Sequence, residues 1–428
     1  MRISPRALRG RPPVVLLAVL AAVLTFPSIP AGARAGAGVP AALPGVPGPA
    51  GGGSVTSLPL TGGRLLTGRT ARRFELLGVG WDGPARALAG GTVKVRTRDA
   101  VTGVWSGWHE LETEGEDGPD AGADTAATPA AGAATTAAAT ASAGAGHPPR
   151  SATAPLWTGP SDGVAVEVTP GPAGPPPGLR VELVDPGEGV RSAGARTVPA
   201  EPSVTEPSAA EPSTAGPADG GRRTGHHQAP RPEIVTRAGW GADESIREPD
   251  FVYTGPVRAV FVHHTATATE YACSDAPRVI RAIYEYHVRS NGWRDIGYNF
   301  LVDRCGTVYE GRAGGTDLPV HGAHTLGFNT DSAGVAAIGT FVTDAPPADL
   351  LTGVARIAAW KLGLTDQDAA GSTRMVSGSD GSLYPAGTGA DFRAVSGHRD
   401  AFNTECPGDS LYPKLPELRT EAARLQGR

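Results

Sequence analysis

The sequence predicts an α/β fold for the C-terminal part of the chain, a mixed central sheet flanked by helices, preceded by a small all-β domain and linkers expected to be disordered. Three observations carry this. From Ile234 onward, strand-length apolar runs alternate with helical 3-4 spacing up to the C-terminus. Between 55 and 188 the apolar pattern instead has a period of two, bounded by Gly, Pro and Asp. Elsewhere Gly, Pro, Ala and Ser dominate: 60 Gly and 40 Pro among 428 residues do not suit one continuous core.

The elements follow in chain order. Arg2, Arg6, Arg9 and Arg11 precede an apolar run at 14–26, and Ala33-Arg34-Ala35 offers a cleavage site. This reads as an export signal over 1–35, the alternative being an uncleaved anchor. No second apolar run long enough to span a bilayer follows, so the mature chain is expected to be secreted, outside the cytoplasmic membrane and without stable membrane insertion. Residues 36–54 read as a flexible lead-in. The β domain, 55–188, is expected to hold strands at 74–77, 92–96, 164–168 and 179–184. Trp81, Trp105 and Trp108 are read as core rather than as a carbohydrate platform. An Ala/Thr/Gly-rich insertion at about 113–153 cannot bury enough apolar surface to offset its ordering entropy. Residues 189–232 repeat Glu-Pro-Ser and read as a linker, in which His226-His227 has no fixed geometry.

In the C-terminal domain, 233–428, a strand is expected at 257–262 and a helix at 277–290. On that helix Val279, Ile280, Ile283, Tyr284 and His287 share one face, Asp275 caps the start and Asn291-Gly292 ends it. A hairpin pairs 298–302 with 307–309 around Asp303-Arg304-Cys305-Gly306. A strand at 335–342 and helices at 350–362 and 415–425 complete the domain.

A net charge of −5 without a basic stripe argues against nucleic acid as a partner. The chemistry lies in histidine and cysteine. His263 ends the first strand, where a side chain can project into a cleft, and His398 and Cys406 stand close together near the C-terminus. Two imidazoles and a thiolate suit Zn2+, and three protein ligands leave a fourth position for water. Spacing alone is a weak signal, because His263 is far from the others in sequence. No H-E-x-x-H helix is present, which removes the usual metalloprotease reading.

Six ordered motifs then carry a resemblance: Val262-His263-His264-Thr265, the run 295–302 from Asp295 to Val302, Tyr309-Glu310-Gly311-Arg312, Gly322-Ala323-His324-Thr325, Gly397-His398-Arg399-Asp400 and Cys406-Pro407-Gly408. Together with Arg237-Ala238-Gly239-Trp240-Gly241-Ala242, they resemble the peptidoglycan recognition protein / type 2 N-acetylmuramoyl-L-alanine amidase family over about 235–415. The layout of the whole chain is similar to amidases exported by high-GC Gram-positive bacteria. The resemblance implies a zinc amidohydrolase that cuts the amide between the muramic acid lactyl group and L-Ala of peptidoglycan, acting as a monomer. It implies zinc ligands at His263, His398 and Cys406, and a catalytic tyrosine at Tyr298. Thr404 stands where a related phage amidase has lysine, a departure that leaves its catalytic role less defined. His287, Gly292, Trp293 and His324 are implied as substrate contacts. Gly292-Trp293 goes with diaminopimelate-type stems in the family; a helix C-cap is the plainer reading of Gly292. His264, adjacent on the strand, should face away and be structural.

Two rivals follow from the same residues. A non-catalytic peptidoglycan-binding module would typically lack the cysteine ligand. A cysteine peptidase built on Cys406 and His398 would leave His263 and Tyr298 without a role. With Cys406 assigned to zinc, Cys273 and Cys305 remain to form a disulfide in an oxidising compartment, contributing roughly 3–4 kcal/mol.

Overall fold

The structure, a computed structural model, describes residues 52–60, 69–113, 118–120, 150–189 and 227–428. The expected signal segment, nearly all of the lead-in, the centre of the insertion and most of the linker lie outside the described residues. No helix among the described residues is long and apolar enough to cross a membrane.

The N-terminal domain is all-β, as its period-two pattern dictates. Strands β1 (Ser54–Pro59), β2 (Arg69–Asp82), β3 (Thr92–Asp99), β4 (His109–Leu111), β5 (Arg150–Ala152), β6 (Leu156–Thr169) and β7 (Arg180–Asp185) form one antiparallel sheet. Their order is β1-β7-β2-β6-β3-β4, with β5 on β2. Phe74, Val79, Trp81, Val93, Val95, Val166 and Val181 fill its core. Trp81 is core, as expected, but Trp108 is 42% exposed and Trp105 is half-buried. The Arg96 guanidinium lies over both of those rings, which gives them a polar partner that a core tryptophan would not need. The stretch expected to lack structure is also shorter at its ends. β5 pairs with β2, and the Asp120 carboxylate accepts from the Gly327 amide.

The C-terminal domain is a mixed sheet between helices. Strands β8 (Ile234–Val235), β9 (Ala259–His264), β10 (Phe300–Val302), β11 (Val308–Glu310), β12 (Ser332–Ala337) and β15 (Val395–Gly397) take the order β15-β9-β12-β10-β11-β8. All neighbours are parallel except the β10–β11 hairpin. The Asp303 carboxylate accepts from the Cys305 and Thr307 amides and closes that hairpin. A separate hairpin, β13 (Ser372–Val376) with β14 (Gly389–Arg393), has no counterpart in the sequence expectations.

Alternation along β9 sets the layers. Val260 and Val262 pack with Leu350, Val354 and Ile357 of α3 (Ala348–Gly363) and Leu418 of α4 (Leu415–Leu425). On the other face Leu301 and Ala336 join Val279, Ile280 and Ile283 of α2 (Ala276–Glu285). The short α1 (Arg237–Trp240) is capped by the Thr236 hydroxyl. The helix expected over 277–290 is regular only to Glu285 and then widens into a π turn, Tyr286–Ser290. Asp275 occupies the N-cap position but makes no side-chain capping bond. Cys273 and Cys305 are joined in a disulfide, tying the approach to α2 to the hairpin turn.

Candidate metal centre and its cleft

The parallel strands β9 and β15 end at the same edge of the sheet, and open α/β sheets place their sites at the carboxyl ends of strands. Val262 pairs with Gly397, so His263 and His398 emerge side by side, their rings 4.6 Å apart. The loop after His398 returns Cys406 to the same point. Its amide is held by the Thr404 hydroxyl at 3.1 Å, and its carbonyl accepts from the Arg399 amide at 3.0 Å. Gly408 has φ +95°, and a Cβ there would sit 2.2 Å from the Phe341 carbonyl oxygen, so the loop closes only with glycine. His263, His398 and Cys406 thus converge: all are buried, and one donor atom from each lies within 4.8 Å of the others.

The surroundings orient these donors. His263 turns Nε2 toward His324 Nδ1 at 3.2 Å, which leaves Nδ1 facing the Cys406 sulfur at 3.8 Å. His324 passes the interaction on through Nε2 to the Ser332 hydroxyl at 3.3 Å. Gly334 on β12 makes room for this: a Cβ there would meet the His324 ring at 2.4 Å. Two imidazoles and a thiol, with one imidazole fixed through its second nitrogen, fit a zinc ion as a donor set.

Tyr298 precedes β10, and its ring lies 5.5 Å from His263 and 5.7 Å from His287. The Asp295 carboxylate holds this loop, accepting from Arg237, from the Ile296 amide at 2.7 Å and from the Ala313 amide at 2.8 Å. The π turn presents His287, which accepts the Gly297 amide on Nδ1 at 3.1 Å and packs its ring, tilted, against Trp293 with centroids 4.4 Å apart. His287, Trp293, Tyr298 and Thr404 line one cleft with His398 and Cys406.

Two residues expected to contact substrate stand elsewhere. His324 is fully buried behind His263 and does not line that cleft. Gly292 takes φ +74° just after the π turn, the conformation of a helix terminator, and is likewise off the lining. His264, expected to face away, sits at the strand end and does reach the cleft. The sequence reading missed several further lining groups, Thr265, Ala266 and Tyr286 among them. Asn291 follows the π turn, and Glu112 with the 153–155 segment comes from the β domain. No sequence signal near Glu112 announces a site, because its position depends on how the two domains pack.

The family described as N-acetylmuramoyl-L-alanine amidase matches residues 253–409. A second, described as Rv3811 N-terminal galactose-binding domain-like, matches 44–203 and so covers the β domain. Peptidoglycan recognition protein 1 of Bos taurus is 34% identical over 184 residues, 42% of this chain and 80% of that protein. Peptidoglycan-recognition protein LE of Drosophila melanogaster and the Homo sapiens N-acetylmuramoyl-L-alanine amidase are each 34% identical. The match spans 45% of the first and 28% of the second. Among solved structures, protein LE in complex with tracheal cytotoxin aligns over 43% of this chain and 92% of that one, at 31% identity and a TM-score of 0.34. The chain therefore belongs to the family of peptidoglycan recognition proteins and N-acetylmuramoyl-L-alanine amidases.

Proposed function

We propose that this protein is a zinc-dependent N-acetylmuramoyl-L-alanine amidase that acts as a monomer on peptidoglycan outside the cytoplasmic membrane. The bond cut is the amide between the muramic acid lactyl group and L-Ala. The observation that carries the reading is the convergence of two imidazoles and a buried thiol at a cleft-lining strand edge. Binding a wall fragment needs no such donor set; activating water does. A bound zinc ion supplies a Lewis acid and lowers the pKa of water to near neutral.

The chain's own residues do the rest. Tyr298, beside His263, donates its hydroxyl to the carbonyl oxygen as negative charge develops there. Thr404 accepts the Cys406 amide and keeps its own O–H as a second donor to the cleft. His287 and Trp293, packed against each other, form the wall against which the peptide stem lies. The Trp293 face in the cleft favours a diaminopimelate-type stem over a lysine-type one. Export rests on the arginine-flanked apolar segment at the N-terminus.

The test is digestion of both stem types by the purified protein, with and without a chelator, and identification of released ends by mass spectrometry. Free L-Ala amino ends should appear faster from the diaminopimelate type and vanish on chelation. Full activity in chelator overturns the zinc mechanism. Sedimentation with intact, uncut peptidoglycan would mark a binding module instead.

A further inference from the structure

Amide hydrolysis moves two protons: one must leave the attacking water, and one must reach the departing amine nitrogen, which is otherwise too basic to leave. The amidase domain lines its cleft with imidazoles, hydroxyls, an amide and a thiol, but with no carboxylate among the described residues. Among the described residues the one lining carboxylate comes from the other domain: Glu112, one residue beyond β4.

Glu112 is held in place from both sides. Its carbonyl accepts from the Ala154 amide at 2.9 Å, and the neighbouring Thr153 carbonyl accepts from the Tyr286 hydroxyl at 3.0 Å. That links its backbone to the π turn of the amidase domain. Its carboxylate oxygen stands 3.4 Å from His264 Nε2, while His264 Nδ1 faces the Phe341 amide at 3.5 Å. The His264 imidazole thus lies beside the carboxylate without a hydrogen bond between them. The His264 amide in turn meets the Cys406 sulfur at 3.3 Å. About a quarter of the Glu112 side chain remains accessible, so the carboxylate is anchored without being sealed.

We infer that Glu112 is the proton carrier of the hydrolysis, so that the β domain completes the catalytic site; this rests on the amidase reading above. Its carboxylate takes a proton from water as the new C–O bond forms at the lactyl carbonyl carbon. The resulting carboxylic acid returns that proton to the L-Ala nitrogen as the C–N bond breaks. A lactyl carboxylic acid and a free amine result, one water is consumed, and Glu112 ends as it began. His264, 3.4 Å from the carboxylate, walls it on one side.

The test uses the full chain and three forms: wild type, Glu112→Gln and Glu112→Asp. Glutamine keeps the shape and the contact to His264 but cannot shuttle a proton. It should lower kcat about 10²–10⁴-fold, with zinc content, melting temperature and sedimentation with insoluble peptidoglycan unchanged. Aspartate should restore part of the rate. A Glu112→Gln rate within about threefold of wild type overturns the inference. A faster Glu112→Gln also overturns it, and marks Glu112 as a plug over the cleft. Loss of zinc or of wall binding in that variant overturns it in favour of a structural role. An inert wild type removes the amidase reading and this inference with it, whereas an active wild type with an active variant removes only the inference.

Discussion

A hydroxyl is a far poorer ligand for zinc than a thiolate, because it neither ionises readily nor matches the metal's softness. Cys406→Ser should therefore lose zinc by elemental analysis and nearly all hydrolysis. Peptidoglycan pull-down should survive, since His287, Trp293 and Tyr298 are positioned by the π turn and the Asp295 network rather than by that sulfur. His324 tests the support behind the proposed ligands. His324→Phe keeps a ring in the buried space but removes the acceptor opposite His263 Nε2. Outer-shell losses of this kind weaken metal binding about 10–100-fold, to be read by zinc competition with a chromophoric chelator. The three converging residues proposed as ligands stood out in the sequence because short motifs surround each of them. The place of His324 did not: its loop suggested a groove wall, and only the fold brings it against a histidine 61 positions away. Glu112 was less legible still, as a lone carboxylate in another domain.

Among the elements, a buried carboxylate joins three segments. Asp295 pairs with Arg237 at 3.1 Å, both nearly inaccessible, and also fixes the turn before Tyr298 and the chain after β11. Removing one partner of such a pair leaves the other charge buried. Asp295→Ala should cost about 3–5 kcal/mol in denaturant unfolding, with a fall in hydrolysis as Tyr298 loses its support. His321, whose carbonyl accepts from Arg312, supplies a pH test. Burial first and the Arg312 charge second push its pKa down to about 4. The unfolded chain, with histidine near 6.5, then binds more protons than the folded one between those values. Stability present above pH ~6.5 should fall as pH drops toward 4, and His321→Gln should flatten that limb in melts taken across the window. Helices α3 and α4 and the β10–β11 hairpin were legible from spacing and turn residues. The π turn was not, because a 3.6-residue pattern through His287 looks like continued α-helix. The β13–β14 hairpin was missed because its second strand, Gly389–Arg393, offers no β-branched residue.

At the scale of the whole molecule, α2 belongs to both domains. Leu76, Trp157 and Val184 of the β domain share one buried cluster with Val279, Ile280, Ile283 and Tyr286. The rim adds the pair between Arg278 and Glu75. Apolar continuity of this kind resembles a single core more than a contact between independent domains, whose interfaces are usually more polar. The two-domain pattern was readable from the break at Ile234, but their fusion was not, because an amphipathic helix with a second apolar stripe looks in sequence like an ordinary buried one. Trp157 is the largest β-domain side chain in that cluster, and truncating a buried tryptophan costs about 3–5 kcal/mol. Calorimetry of wild type should give one cooperative transition for both domains, and Trp157→Ala should lower it or split it in two. Two well-separated transitions already in wild type would show that the domains unfold independently. The same substitution probes the composite site. Trp157 lies two residues past Pro155, the end of the 153–155 segment that lines the cleft and fixes the Glu112 backbone. The variant, kept below its melting temperature, should retain full zinc and yet hydrolyse more slowly. Adding Glu112→Gln on top should then cost less than it does in wild type, because two changes acting on one contact are not additive.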